Sequence, residues 1–136
     1  MVDIVTPQKR SSMMRSIRGR DTQAELLVRS YLHRAGLRFK INDRTLPGSP
    51  DLVFPKYRCV VFVHGCFWHR HHGCKLAAIP ATRTEFWNAK FAANVARDER
   101  ANNSLLALGW RALTIWECEV QNADNLDDLF WRVVCG

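Results

Sequence analysis

Apolar positions along the chain change spacing from helical to alternating and back again, and the changes divide it into elements. In "DTQAELLVRSYLHRAG" (21–36), Ala24, Leu27, Val28, Tyr31, Leu32 and Ala35 fall on one stripe at helical spacing, which predicts a core-facing helix. Thr22 and Glu25 have the spacing of a capping box, and Gly36 suits a left-handed exit. His33 lies off the stripe and is expected in solvent. "LRFKI" then alternates, with Leu37, Phe39 and Ile41 on one side, which predicts a half-buried strand. "LPGSPD" is turn chemistry, and the chain re-enters a sheet at "DLVF". After "KYR", the continuous apolar run "CVVFV" (59–63) suits a central strand.

The second half repeats the alternation at larger scale. A long helix is predicted from about Thr84 to about Leu108, ended by Gly109, followed by a buried strand in "WRALTIW". A final helix, "ADNLDDLFWRVV", turns Leu126, Leu129, Phe130 and Val133 inward. The order is helix, three strands, helix, strand, helix, an α/β chain with a mixed sheet flanked by helices. No internal repeat or low-complexity linker interrupts the 136 residues, so one domain (1–136) is expected, large enough for a real core.

Charge adds a partner class. The formal net charge is +7, which favours a polyanion. Part of the excess sits in residues 1–20, where Lys9, Arg10, Arg15, Arg18 and Arg20 face only Asp3; "SSMMRSIRG" could form a short helix ending at Gly19. The segment reads equally as a solvated terminus or as an arm for nucleic acid. No basic amphipathic anchor is present, and "CVVFV" is too short to span a bilayer, so no membrane partner is expected. The start, "MVDIVTPQKR", has no hydrophobic signal core, and the expected location is the cytoplasm.

The loop 64–83 carries the chemistry. Its start, "HGCFWHRHHGCK", holds four imidazoles, two thiols and the aromatic pair Phe67 and Trp68. Cysteines beside histidines in a reducing compartment point to a metal more than to a disulfide, whereas Cys59 and Cys135, beside apolar residues, are expected as buried small hydrophobes. Zinc takes thiolate and imidazole in a tetrahedron, and structural sites use four protein ligands. Cys66, His71 or His72, and Cys74 supply three, and Cys118, just after a buried strand, is the available fourth. A loop of this length also needs a staple. His64 leaves a buried strand and so holds a rigid position; His69 lies between the aromatic pair and the ligands. Either imidazole suits proton transfer near neutral pH or a structural hydrogen bond. Asp51, presented by a stiff turn, suits a hard divalent cation that polarises phosphate and acidifies a bound water, and its strand can lie beside the one ending at His64. Glu25 and Asp98 are further acidic candidates, with a helix cap and the surface cluster "RDER" as their plainer readings.

The pieces "MRSI", "RDTQAE", "LPGSPDLVF", "YRCVVFVHGCFWH", "PATRTEFW" and "GWRALTIWEC" resemble the very-short-patch repair endonucleases, Vsr, from the N-terminal arm to about Cys118. "HGCFWH" followed by "TRTEFW" is highly specific to that family. The resemblance implies a restriction-endonuclease-like fold and a nick on the 5′ side of the thymine in a T·G mismatch, the product of 5-methylcytosine deamination. It implies magnesium on Asp51 and on the main-chain carbonyl of Val63, catalytic imidazoles at His64 and His69, and support from Glu25 and Asp98. It implies a structural zinc on Cys66, His71, Cys74 and Cys118. Family members can carry threonine where this chain has Val63, a change that a carbonyl ligand survives, and Gly73 makes the loop longer than in some relatives.

By the same resemblance, Phe67, Trp68 and Trp87 insert beside the mispair, Lys90 and Asn94 touch its bases, and the arm with Met14 and Arg15 lies across the opposite groove. A mismatched step is cheaper to unstack, and aromatic–base stacking contributes about 1–3 kcal/mol per base. Without the resemblance, Phe67 and Trp68 read as a small core over the zinc. The implied partner is duplex DNA bound by a monomer, with a functional link to a cytosine-5 methyltransferase and to mismatch-repair proteins. Two other classes compete: a zinc-stabilised DNA-binding module without catalysis, and a zinc hydrolase of small molecules. The thiol-rich, closed ligand set speaks against the hydrolase, and the joint presence of Asp51, His64 and His69 speaks against the bare module.

Overall fold

A computed structural model describes residues 22–67, 69–71, 73–74, 77 and 81–136. The arm, with the short helix expected in it and with Met14 and Arg15, lies outside the described residues, as do Trp68 and His72. The described elements are α1 (Gln23–Arg34), β1 (Lys40–Ile41), β2 (Leu52–Phe54), a 3₁₀ turn (Pro55–Tyr57), β3 (Cys59–His64), α2 (Thr84–Ala107), β4 (Arg111–Trp116) and α3 (Ala123–Cys135). The four strands form one sheet in the order β1-β2-β3-β4, antiparallel except for the parallel β3–β4 pair. Parallel neighbours need a long crossover, which α2 provides. The result is a small α/β domain with a mixed sheet, consistent with a restriction-endonuclease-like fold.

Local chemistry sets the ends of these elements. The Thr22 hydroxyl caps α1 by accepting the Glu25 N–H at 3.2 Å. At the other end the chain leaves through Gly36, at φ +100°, whose N–H donates to the His33 carbonyl. Val28 and Leu32 of the expected stripe are buried, and Ala24, Leu27 and Tyr31 pack against them. Ala35 is exposed, because the helix stops at Arg34 and leaves it at the cap.

The sheet separates two clusters by the alternation of its strands. Leu52, Phe54, Cys59, Val61 and Ile115 face α1 and α3, where Leu126, Leu129 and Val133 complete a continuous core. Val53, Val60 and Phe62 face the other way, toward Leu105 of α2. By the same period of two, His64 follows Val60 and Phe62 onto the α2 side, with its ring 5.6 Å from that of Phe62.

Other apolar expectations fail besides Ala35: β4, expected as a buried strand, is buried only at Ile115 and half-buried elsewhere. The strand expected over 37–41 pairs only at Lys40 and Ile41, and Ile41 is exposed. Among the described residues β1 pairs only with β2, which is three residues long, and stands at the edge of the sheet, where Ile41 is left exposed. Cys135 is exposed, because the buried stripe of α3 runs through Leu126, Leu129 and Val133 and misses it. Cys59 is buried as expected.

The turn before β2 is fixed by Gly48. Its φ is +76°, and a Cβ there would lie 2.6 Å from the Ala101 Cβ and 3.1 Å from the Phe62 ring. That close approach seats the turn on α2 and places Asp51 three residues later. Asn42 and Asp43 donate their N–H groups to the Asp51 and Pro50 carbonyls, tying the turn to the end of β1.

Candidate active site and metal centre

Asp51 meets β3 across the antiparallel pair. Its Oδ2 accepts the N–H of Val63 at 2.6 Å. A strand residue turns its N–H and C=O toward the same neighbour, so the Val63 carbonyl is directed to the Asp51 side as well. Glu25, on α1, is buried at 1% exposure and pairs with Arg29 at 3.0 Å. Burial raises the Asp51 pKa, and the negative charge of Glu25 adds to the rise against the lowering effect of the Val63 N–H; the carboxyl is pushed up to about 7. Two carboxylates set this close in a buried place suit a divalent cation, which would offset both charges.

His64 and His69 lie face to face, ring centroids 3.9 Å apart and 4° from parallel. His69 Nδ1 is 2.6 Å from Asp98 Oδ2 on α2, so the carboxylate favours a proton on that nitrogen and leaves Nε2 as the ring's other polar position. Burial, followed by the charge of His69, lowers the His64 pKa to about 4 against the opposing pull of Asp98. His64 is therefore a neutral imidazole at physiological pH. Its ring also meets Trp116 edge-on at 5.2 Å.

Among the described residues, two groups of side chains have ligand atoms all within 4.8 Å of one another. One is Cys66, His71, Cys74 and Cys118; the other is His64, His69 and Asp98. Asp51 belongs to neither, so a cation held there would draw on main-chain oxygen and water, as magnesium commonly does. In the first group, His71 Nδ1 lies 3.6 Å from Cys66 Sγ and 3.3 Å from Cys118 Sγ. Ligand atoms on one tetrahedral zinc lie about 3.5 Å apart, so the donor types of this set fit zinc and these two distances lie close to that spacing. His71 is held by stacking on Trp116 at 4.3 Å. Burial pushes the Cys66 thiol up to about 12 and raises that of Cys118. A metal ion would reverse both shifts by deprotonating its ligands.

The aromatic residues share the cleft of the carboxylates. Phe67 is half-buried, edge-on to Trp87 at 5.5 Å and to Phe91 at 5.1 Å. Lys90 is exposed one turn before the half-buried Asn94 on the same helix. Asp51, His64, His69, Phe67, Trp87, Lys90 and Asn94 all line one open cleft of about 1370 Å³. The catalytic candidates and the described base-contacting candidates thus line one continuous cleft.

Several residues that build this site carry no warning in the sequence pattern. Glu117 donates its N–H to the His64 carbonyl and accepts the Cys66 N–H on Oε1, both at 2.9 Å, linking the histidine pair to the thiol cluster. Its signal is its position between a strand end and Cys118. Arg29, Arg70 and Phe91 read as ordinary surface or core positions until the fold assembles them.

The family model for the DNA mismatch endonuclease Vsr matches residues 2–76. The chain is 49% identical over 128 residues to the DNA mismatch endonuclease Vsr of Escherichia coli K12, covering 94% of this chain and 81% of the relative. It is 44% identical over 127 residues to the type II nicking enzyme V.XorIIP of Xanthomonas oryzae, covering 93% of each. A third relative, the type II nicking enzyme V.NmeAIP of Neisseria meningitidis, is 42% identical over 122 residues, covering 90% of this chain and 86% of its own length.

Proposed function

Since the chain belongs to the Vsr family of DNA mismatch endonucleases, we propose that it nicks one strand of duplex DNA on the 5′ side of the thymine in a T·G mismatch and so starts short-patch repair. The observation that carries this reading is the single cleft, in which Asp51 and the His64–His69–Asp98 group stand beside Phe67, Trp87, Lys90 and Asn94.

In this reading Asp51 and the Val63 carbonyl hold magnesium, which supplies phosphate polarisation and an acidified water. Glu25 and Asp98 support the hydrated ion or the histidines. The stacked imidazoles divide proton transfer between them. Two imidazolium rings at 3.9 Å would repel, so one proton at a time is the stable arrangement. His64 is kept neutral and suits acceptance of a proton; His69, oriented by Asp98, suits its delivery to the leaving oxygen. Cys66, His71, Cys74 and Cys118 hold a structural zinc that ties the loop to the end of β4. Phe67, Trp68 and Trp87 act as the wedge at the softened step, Lys90 and Asn94 contact its bases, and the basic arm 1–20, with Met14 and Arg15, crosses the opposite groove. The protein acts as a monomer, and its substrate links it to a cytosine-5 methyltransferase and to mismatch repair.

The test is a labelled duplex with and without one T·G pair, incubated with and without magnesium. A single nick 5′ of the thymine, dependent on both mismatch and magnesium, is the expected result. Binding without strand cleavage under every metal tried would overturn the enzyme reading in favour of a DNA-binding module. Elemental analysis should find one zinc per chain after dialysis has removed magnesium, and active protein without zinc would remove the structural metal from this account.

A further inference from the structure

The loop between β3 and α2 holds a second staple besides the thiol cluster. Arg70 lies in the left-handed region, at φ +57°, an uncommon backbone state for a bulky side chain. Its guanidinium donates through Nη1 to the Phe67 carbonyl at 3.1 Å and through Nη2 to the Ala77 carbonyl. The same group lies over the Phe91 ring at 4.1 Å and within 5.8 Å of the Phe67 ring. One side chain therefore joins both limbs of the loop to each other and to the long helix. A planar fork with several donors and a stacking face can do this, whereas an ammonium cannot.

We propose that Arg70 is a positioning residue for mismatch discrimination, holding Phe67 at the angle from which it meets the DNA. The proposal rests on the reading of Phe67 as a wedge. A wedge discriminates only if its own placement costs little on binding, and ordering a loop at the moment of contact lowers affinity for the mispair. The zinc cluster fixes Cys66 from one side of Phe67; it does not fix the direction of the ring. Arg70 supplies that second constraint, through the Phe67 carbonyl and through Phe91, against which the ring packs edge-on. Two of its five N–H donors are taken by the Phe67 and Ala77 carbonyls, and the salt series below separates this positioning role from a phosphate contact.

The test uses the full chain as Arg70→Ala and Arg70→Lys, with Phe67→Ala as reference. Three readouts are taken: affinity for T·G against matched duplex over a salt series, zinc content with melting temperature, and hydrogen exchange of the DNA-free loop. Both Arg70 variants should lose about tenfold in T·G preference, within the range of one base-stacking contact. Their salt slope should not change, and exchange should quicken at the His69, His71 and Ala77 amides while zinc stays bound. Lys fails like Ala because it keeps the charge without the fork. Retained preference with unchanged exchange overturns the proposal. A uniform loss on both duplexes, with the slope of log affinity against log salt smaller by about one, makes Arg70 a phosphate contact and also overturns it. If both variants shed zinc, Arg70 supports the whole metal loop, and the discrimination role is overturned. Should Phe67→Ala keep full preference, the wedge reading fails by itself, and faster exchange in the Arg70 variants would still separate loop positioning from that failure.

Discussion

The two faces of the sheet are built from the same strands and differ in what covers them. On the α1–α3 face, Val28, Leu32, Leu52, Phe54, Val61, Leu129 and Val133 form an unbroken apolar core. On the α2 face, the buried apolar cluster is Val53, Val60, Phe62 and Leu105, and toward the end of β3 it gives way to His64, His69 and Asp98. Stability is concentrated on the first face and chemistry on the second. The alternation of β3 makes the division, since Val61 and His64 stand three residues apart and point to opposite sides. A fold arranged this way should let activity and stability be damaged separately.

The largest separation is expected at Asp51. Asp51→Asn keeps shape and removes the anionic ligand, so nicking should fall by about 10³-fold or more, the loss of several kcal/mol of transition-state stabilisation. Binding to the T·G duplex should stay within a few-fold of wild type. Near-normal nicking by Asp51→Asn at saturating magnesium would place the hydrolytic centre elsewhere. The opposite case is Leu32→Ala on the dry face, at a residue with no exposed surface. It should cost about 2–5 kcal/mol of stability and leave the single-turnover rate of the folded fraction unchanged below the melting transition. A rate that fell in step with stability would show that the faces are not independent.

Gly48→Ala should blur the division, because that turn belongs to both functions. The new Cβ would meet the Ala101 Cβ at 2.6 Å, in a backbone state of φ +76°. Overpacking of this kind costs about 1–3 kcal/mol. Relief of the contact must move the turn that presents Asp51, so nicking should drop in protein that is still folded. Full activity in a destabilised Gly48→Ala protein would show that Asp51 is held by the Val63 N–H alone.

The division was only partly legible in the sequence. The order of elements was, because helical and alternating periods are local signals; the end of α2, expected near Leu108, agrees with Ala107 because Gly109, at φ +87°, marks it. The residues alone pointed to Cys66, Cys74 and Cys118 with His71 or His72, because thiols and imidazoles that close together have few other uses; the resemblance named His71, and the structure brings the ligand atoms of Cys66, His71, Cys74 and Cys118 within 4.8 Å of one another. Burial was less legible. Ile41 and Cys135 are apolar and exposed because edge position and helix phase decide burial, and neither is written in residue type. Glu25 looked like a cap and is also a buried charge, since the cap uses its N–H while its carboxylate turns toward Arg29 and Asp51. Glu117 acts on a carbonyl and an amide far away in sequence, and Arg70 on carbonyls of its own loop, pairings that no spacing rule reports.

The smallest effect expected is also the one that tests whether the chemical face is held in tension. Folding raises the Asp51 carboxyl from its ordinary 3.8 to about 7, first by burial and then by the charge of Glu25, so the folded state binds this proton more tightly than the unfolded one. Such a group contributes its full stability below the unfolded value and loses it as pH rises through the folded value. In protein with zinc but without magnesium, wild type should therefore lose stability relative to Asp51→Asn between about pH 4 and about pH 7. The Arg29 guanidinium already opposes part of this rise, and the relative loss is read as a lowering of the wild-type melting temperature against that of Asp51→Asn. Asparagine does not titrate, and the melting-temperature difference between the two proteins should widen with pH and level off above 8. Magnesium should then close the gap by raising the wild type at pH 8, with little effect at pH 5 and none on Asp51→Asn. A melting-temperature difference that stays constant across pH 4–8, with magnesium raising both proteins alike, would show that Asp51 and Glu25 are not a strained pair waiting for a cation.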